Sequence, residues 1–181
     1  MSILIRVLLI AQLKKKLITK GIECINEDFP QGGFYIIKNI SIKECSFSRQ
    51  MVYNGHGGII YAYGKYFIDV SECLFRTIAC SYSGGAIYTS GDQCNSTIVN
   101  SRFLKCSAIQ GGGALSLRGS NYIYYLIFYN CSSRNEYGGA VLAECINIYL
   151  RMICAHRCSS GDYTNYYGGH FLYIKPQRWI M

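Results

Sequence analysis

The chain has 181 residues, of which 50% are hydrophobic and 15% charged, so it can bury a substantial core and is not a disordered segment. Its 17 tyrosines, 19 glycines and only 2 prolines combine strand formers with turn formers, which favours an all-β fold. The net charge is +8, but five of the basic residues lie among the first twenty residues, which contain no acid. The rest of the chain has thirteen basic and ten acidic residues, so we expect no nucleic-acid partner.

Residues 1–21 form a basic N-terminal segment that includes Arg6, Lys14, Lys15, Lys16 and Lys20. Arg6 interrupts the apolar run from Ile3 to Ala11, so no membrane span is predicted there. The positive charges mostly follow the apolar run, whereas a signal peptide carries them before it. Residues 3–10 are therefore interpreted as a β-strand, and the chain is expected to be a fragment of a longer protein.

Residues 22–173 contain a repeat marked by pairs of glycines at intervals of 25 to 30 residues. Each pair precedes a short apolar stretch, such as Ala86-Ile87-Tyr88, that is typical of a strand. Because a strand and not a helix follows, the glycines are predicted to turn corners rather than to bind phosphate. The pairs are Gly32-Gly33, Gly57-Gly58, Gly84-Gly85, Gly112-Gly113, Gly138-Gly139 and Gly168-Gly169, and residues 174–181 follow as a tail.

A second marker in each repeat is a large apolar residue with Ile or Val five positions before it. A further position, two residues before the large apolar one, is Cys in the first two repeats. An offset of two places both residues on one face of a strand, and the remaining offset of three requires a bend. The large apolar positions are Phe47, Phe75, Phe103, Phe128 and Ile153, and the β-branched ones are Ile42, Val70, Ile98, Ile123 and Ile148.

Three short strands in each repeat, with glycine at one corner and no helical pattern, predict a parallel β-helix solenoid of about six rungs. A leucine-rich repeat would require a Leu-x-x-Leu-x-Leu framework, which this chain lacks. In a β-helix, equivalent residues lie above one another at about 4.8 Å. The five large apolar residues of the second marker should therefore form one buried column.

The two markers resemble the repeats of chlamydial polymorphic outer membrane proteins, which are right-handed β-helices of pectate-lyase-like architecture with Gly-Gly-Ala-Ile and Phe-x-x-Asn signatures. Gly84-Gly85-Ala86-Ile87 matches the first signature. Phe103-Leu-Lys-Cys106 and Phe128-Tyr-Asn-Cys131 have Cys in place of the Asn, as in related surface proteins of trichomonad-type protists. The resemblance implies a right-handed, non-enzymatic, adhesin-like module that is extracellular or at the cell surface and binds a protein or a glycan.

The ten cysteines allow three interpretations, namely disulfides, a zinc site and buried thiols. Cys45 and Cys73 share one position of adjacent repeats, as do Cys106 and Cys131, at a Cα separation of about 5 Å that suits a disulfide or a thiol ladder. Because Cys is among the most buried residue types, thiol ladders are favoured. In Cys154-Ala-His156-Arg-Cys158 the first Cys should point outward and the other two residues inward, so no metal is predicted.

Glu44 and Glu72 are the acids that share a position on adjacent repeats, at a spacing near that of retaining glycosidases. The acidic line stops there, because Asn100 and Tyr125 follow in the next repeats. We therefore interpret Glu44 and Glu72 as solvated residues at a bend rather than as catalytic acids. A polysaccharide-cleaving lyase or glycosidase remains the alternative function, a structural segment of a larger solenoid is a third, and no cofactor is predicted.

Binding is predicted at an insertion, because Ile153 and Gly168 are 15 residues apart where the other repeats take 9 or 10. A loop that protrudes from a rigid scaffold commonly carries binding. The candidate binding residues are Asp162, Tyr163, Asn165 and Tyr166. A second cluster of tyrosines either binds a partner or is a Tyr-rich strand surface with no partner. It contains Tyr122, Tyr124, Tyr125, Tyr129, Tyr137 and Tyr149. Glycosylation sequons at Asn39, Asn95 and Asn130 are compatible with an extracellular protein.

Overall fold

The protein is a parallel β-solenoid of about five turns in the computed structural model. All strands of the described part belong to one coiled sheet, and that part contains no helix, let alone one long and apolar enough to cross a membrane. The predicted all-β parallel solenoid is thus confirmed. The structure describes residues 39–135, 137–161 and 171–175, together with strands at 16–18, 23–25, 28–29 and 34–36, so the strand predicted at residues 3–10 lies outside the described residues.

Each turn of the solenoid has three sides, and strands of one side pair from coil to coil. The first side consists of β1 (Lys16–Ile18), β4 (Phe34–Ile36), β7 (Ile60–Tyr63), β10 (Ile87–Ser90), the starts of β14 (Leu115–Tyr129) and β16 (Val141–His156), and β18 (Leu172–Ile174). The second side consists of β2 (Glu23–Ile25), β5 (Ile40–Lys43), β8 (Phe67–Ser71), β11 (Asn95–Val99) and the middle of β14 and β16.

The third side carries the second marker. It consists of β3 (Asp28–Phe29), β6 (Ser46–Val52), β9 (Leu74–Cys80), β12 (Arg102–Leu104), β13 (Ser107–Ala108), the ends of β14 and β16, β15 (Ser132–Ser133) and β17 (Ser159–Ser160). Strands β14 and β16 each run as one strand from the first side to the third, and they pair with each other along most of their length.

The glycine pairs turn the corner between the third side and the first. The first glycine of each described pair has a left-handed backbone, with φ of 60° at Gly57, 70° at Gly84, 61° at Gly112 and 68° at Gly138. Glycine adopts this conformation without the steric cost of a Cβ atom. The corner-turning role predicted for the pairs is confirmed at these four, and Gly32-Gly33 and Gly168-Gly169 lie outside the described residues.

Two other corners are made by non-glycine residues with a left-handed backbone. In both columns φ lies between 48° and 57°, and every side chain is exposed. Because each coil bends at the same two places, these side chains form two rows along the outside of the stack. The corner before the third side holds Glu44, Glu72, Asn100, Tyr125 and Met152, and the corner within it holds Arg49, Thr77, Lys105, Asn130 and Arg157.

The core is a stack of identical positions from successive coils. Phe47, Phe75, Phe103 and Phe128 are fully buried, and neighbouring rings lie 4.7 to 5.1 Å apart at their centroids. Ile42, Val70, Ile98 and Ile123 form a second buried column in direct register. Both columns were predicted, and cross-coil packing of this kind stabilises the fold by removing large apolar side chains from water.

The predicted positions of Ile148 and Ile153 are wrong. Ile123 is in register with Leu150 and not with Ile148, while Ile153 pairs with Leu126, two positions before Phe128. A bulge explains the shift, because the register moves from Gly119–Cys145 to Ser120–Asn147 and leaves Ile146 unpaired. Ala155 stands above Phe128 in the strand register, and the ring of Phe171 packs against Phe128 at 5.6 Å.

Candidate binding surface

The residues first predicted to bind a partner, Asp162, Tyr163, Asn165 and Tyr166, lie outside the described residues. The described chain reaches Gly161 and resumes at Phe171. The second predicted cluster, the tyrosines of the later coils, can be followed in the structure.

Two of these tyrosines form a ladder on the outside of the second side. Tyr122 and Tyr149 occupy directly paired positions of β14 and β16, and the register continues downward to Thr97. Their rings lie parallel, with centroids 4.7 Å apart and an interplanar angle of 5°. The residues are 45% and 55% exposed, so a partner would remove substantial aromatic surface from water.

Tyr124 and Tyr125 extend this surface towards the corner. Tyr124 follows Tyr122 on the same outer face of β14, and Tyr125 lies at the left-handed corner, 47% exposed. Their rings meet edge to face at 6.1 Å and 80°. We call Tyr122, Tyr124, Tyr125 and Tyr149 the tyrosine patch.

The backbone beneath the tyrosine patch is held by a buried polar network. Ser96 Oγ donates to Asn121 Oδ1 at 2.6 Å, and both residues are almost completely buried. Asn121 Nδ2 in turn approaches the carbonyl oxygens of Arg118 at 3.3 Å and Gly119 at 3.4 Å. A satisfied buried network fixes the strand that carries the tyrosines, so little conformational entropy remains to be lost on binding.

The other two tyrosines of the predicted cluster lie on different sides. Tyr129 is on the third side, where its ring stacks on His156 at 5.5 Å and its hydroxyl accepts from Arg157 Nη1 at 3.4 Å. Tyr137 stacks on Tyr173 at 4.3 Å beside the first side. Coiling therefore divides the six tyrosines, and four of them share one surface.

Glu44 and Glu72 occupy one corner column, as predicted, but a lysine lies beside both carboxylates. Lys43 Nζ is 3.1 Å from Glu44 Oε1 and 3.8 Å from Glu72 Oε1. The hydrogen bond to Glu44 is the main cause that raises the pKa of Lys43, with the charge of Glu72 next. A glycosidase needs one of its two carboxyls protonated as the general acid, whereas this arrangement employs both as partners of one ammonium group.

The cysteines form columns of thiols, as the repeat phase predicts. None of the nine cysteines from Cys45 to Cys158 is in a disulfide bond. One column contains Cys45 and Cys73, and the other contains Cys106, Cys131 and Cys158. The thiol of Cys73 donates to the carbonyl of Ser71 at 3.1 Å, and the thiol of Cys131 to that of Phe103 at 3.3 Å. These contacts fit a structural role.

Burial raises the pKa of Cys80, Cys94 and Cys145 to about 11 each, from an ordinary value of 9.0. The unfolded chain therefore loses these protons at a lower pH than the folded chain. The stabilisation is fully present below pH 9 and is lost as the pH rises from about 9 to about 11. We expect the free energy of unfolding, measured in urea, to fall across this interval.

Tyrosines also ionise near pH 10, so the control is the variant with Cys80→Ala, Cys94→Ala and Cys145→Ala. Ala108 stands in the column of Cys80, so alanine is compatible with that position. The variant should show a shallower alkaline loss of stability than the unmodified chain. Equal slopes would mean that these three thiols do not cause the loss.

His156 was predicted to point inward and is instead exposed, with Cys154 also exposed and Cys158 partly buried. The cause is the same bulge, because His156 pairs with Tyr129 and therefore lies on the outer face. In the described ranges no group of three or more His, Cys, Asp and Glu side chains could hold a metal ion.

Sequence analysis missed a charged surface on the third side. The strands and corners at 46–52, 74–80, 102–108, 127–133 and 154–160 contain five basic residues and no acid. The sequence did contain a signal for this basic surface. Each cation lies one or two positions from the large apolar residue of the second marker or, in the last coil, from Ala155. The residues are Arg49, Arg76, Arg102, Lys105 and Arg157.

Comparisons of the chain with protein-family models, with curated proteins and with solved structures find no match. The resemblance to polymorphic outer membrane protein repeats therefore depends on the two repeat motifs alone.

Proposed function

We propose that this solenoid is a non-enzymatic, adhesin-like interaction module that binds a partner through the tyrosine patch. The observation that carries the proposal is the ladder of Tyr122 and Tyr149, more than two-fifths exposed on a hydrogen-bonded sheet. Exposed tyrosines on a rigid scaffold are typical binding anchors, since each offers apolar area and a hydroxyl at low entropic cost. The resemblance to repeats of surface proteins supports the same function and an extracellular location.

The orientation of the rings favours a protein as the partner. Tyr122 and Tyr149 stack face to face, so each ring covers one face of the other and leaves its edge to a partner. A sugar ring stacks on an open aromatic face, whereas apolar side chains and carbonyl groups of a protein can pack against ring edges and hydroxyls. Arg151, next in the column of Tyr124, adds a cation at the margin of the patch.

The alternative of a polysaccharide-cleaving enzyme has weaker support. Glu44 and Glu72 share Lys43 as a partner, and Asn100 and Tyr125 continue their column. Purified protein that cleaved an acidic or neutral polysaccharide, with turnover abolished by Glu44→Gln or Glu72→Gln, would favour the enzyme over the interaction module.

The tyrosine patch can be tested on an array of immobilised surface-protein ectodomains and glycans. We expect the chain to bind a protein on the array, and the variant with Tyr122→Thr and Tyr149→Thr to bind it at least about tenfold more weakly. Threonine is the matched substitution, because Thr97 occupies the same column one coil below. The melting temperature should change little.

The control is Tyr63→Thr, which removes a tyrosine of similar exposure from the first side. It should leave binding unchanged. Equal losses in the control and in the patch variant would contradict a site at the tyrosine patch. Absence of any ligand on the array would favour a structural segment of a larger solenoid.

A further inference from the structure

The third side of the solenoid is basic, whereas most acids lie on the other two sides. Its five basic residues are exposed, and none forms an ion pair with an acid of the described chain. Among the described residues, the acids of the second side, its corner and the first side are Glu23, Glu44, Asp69, Glu72, Asp92 and Glu144. One acid, Asp28, lies a coil below, in register with Ser46. A surface with one sign of charge attracts the opposite charge.

The basic residues are concentrated on a convex corner. Arg49, Lys105 and Arg157 occupy alternate coils of the left-handed column, so they are about 10 Å apart along the stack. Arg76 and Arg102 lie on the adjoining outer face, Arg76 in the coil between Arg49 and Lys105 and Arg102 in the same coil as Lys105. We call the corner column and these two arginines the basic ridge.

Exposed apolar side chains flank the basic ridge. Met51 and Tyr53 are 59% and 76% exposed beyond the corner column, and Ile127 and Tyr129 are exposed in the columns of Arg102 and Arg76. Met51 and Tyr53 also line a groove of about 470 Å³, together with Ala79, Ser107 and Arg134. Cations and protruding apolar groups therefore occur on the same surface.

The combination of cations and exposed apolar side chains favours an anionic bilayer over a nucleic acid as the partner. A nucleic-acid strand carries one phosphate about every 3.4 Å, a much denser charge than cations on alternate coils, and its backbone offers nothing to Met51 or Ile127. A bilayer with anionic lipids presents a diffuse negative charge together with an apolar layer just beneath the headgroups. Aromatic and aliphatic side chains insert into that layer while basic residues remain at the headgroups.

We propose that the third side of the solenoid docks peripherally on an anionic lipid surface, with the basic ridge at the headgroups and Met51, Tyr53, Ile127 and Tyr129 in the interface. The axis of the stack then lies parallel to the membrane, and the groove beside Arg134 accommodates a headgroup. The tyrosine patch is on another side of the stack and remains accessible to its partner. This site is independent of the proposed function.

The test is sedimentation of the purified chain with vesicles of phosphatidylcholine alone or with one part phosphatidylserine to three parts phosphatidylcholine. We expect binding to the anionic vesicles only, weakened as added salt shortens the Debye length from about 10 Å to about 3 Å. The variant with Arg49→Asn, Lys105→Asn and Arg157→Asn should partition about 100-fold less, at roughly fivefold for each charge. Asparagine tolerates the left-handed backbone, as Asn130 does in the same column, so folding should be preserved.

Two controls distinguish docking through the third side from a nonspecific effect of the net charge. Removing three cations elsewhere, with Lys43→Asn, Lys65→Asn and Lys175→Asn, should reduce partitioning much less than the ridge variant. Met51→Ser with Tyr53→Ser should reduce it, while Tyr63→Ser should not. Tyr122→Thr with Tyr149→Thr should leave vesicle binding intact, whatever it does to the partner of the tyrosine patch.

Equal loss in the two charge variants would overturn the proposal, as would equal binding to neutral and anionic vesicles. Tighter binding to a single-stranded DNA oligonucleotide than to the anionic vesicles would assign the basic ridge to nucleic acid instead. No effect of the Met51 and Tyr53 substitutions would contradict insertion and with it the docking geometry proposed here.

Discussion

Replacing Gly113 with alanine should destabilise the solenoid by more than about 3 kcal/mol, or prevent folding altogether. An added Cβ at Gly113 would lie 2.1 Å from the carbonyl oxygen of Gly139 and 2.4 Å from that of Ser132. Both are backbone atoms and cannot rotate away. The next residue, Ala114, donates its N–H to the carbonyl of Ala140 at 2.9 Å, so separating the coils would break the hydrogen bonds that join them. Circular dichroism and urea unfolding would measure the loss.

Gly64→Ala is the matched control for this prediction. Gly64 has φ of 117°, which strains an alanine, but its added Cβ meets only the ring of Tyr66, at 3.2 Å. The expected cost is about 1–3 kcal/mol from the backbone conformation. If both alanines cost the same, close approach between coils is not what requires glycine at position 113.

The solenoid could be predicted because its core repeats. A column of stacked side chains has room for one size of residue, so each coil places the same type at the same point, as Phe75 and Phe103 show. Glycine recurs for a related reason, since each corner repeats the same left-handed backbone. These constraints act at one period along the chain, and that period is visible in the sequence.

Prediction failed in the last coil because the period changes there. Ile146 is bulged out, and the residue in register with Phe128 is Ala155, so the strand has no aromatic residue to mark its phase. Ile153 was the nearest large apolar residue and was assigned in its place. Nothing in the sequence distinguishes a bulge from the spacing of 25 residues that was assumed.

The surfaces were harder to predict than the core. The tyrosine patch was partly visible as a cluster along β14 and β16, although the stacking of Tyr122 on Tyr149 needed the register. The basic ridge was missed because its cations occupy different columns of different coils, and solvent imposes no single residue type on an outer position. Only the paired strands bring Arg49, Arg76 and Arg102 to one side.

Phe103→Ala should lower the free energy of unfolding by about 3–5 kcal/mol. Phe103 is fully buried between Phe75 and Phe128, with ring centroids 4.7 Å and 5.1 Å away. The substitution removes one ring from the middle of the stack and leaves a cavity. Backbone hydrogen bonds fix the spacing between the coils above and below, so the cavity cannot collapse. Urea unfolding should show a lower midpoint with an unchanged slope.

Phe67→Ala tests whether burial causes this effect, because Phe67 lies outside the stack and is 44% exposed. Its loss should cost less than about 1 kcal/mol. Phe103→Leu should fall between the two alanine variants, since leucine refills most of the cavity without restoring the stacked rings. A cost for Phe103→Ala as small as that for Phe67→Ala would contradict a close-packed Phe column, and with it the cross-coil packing that defines this solenoid.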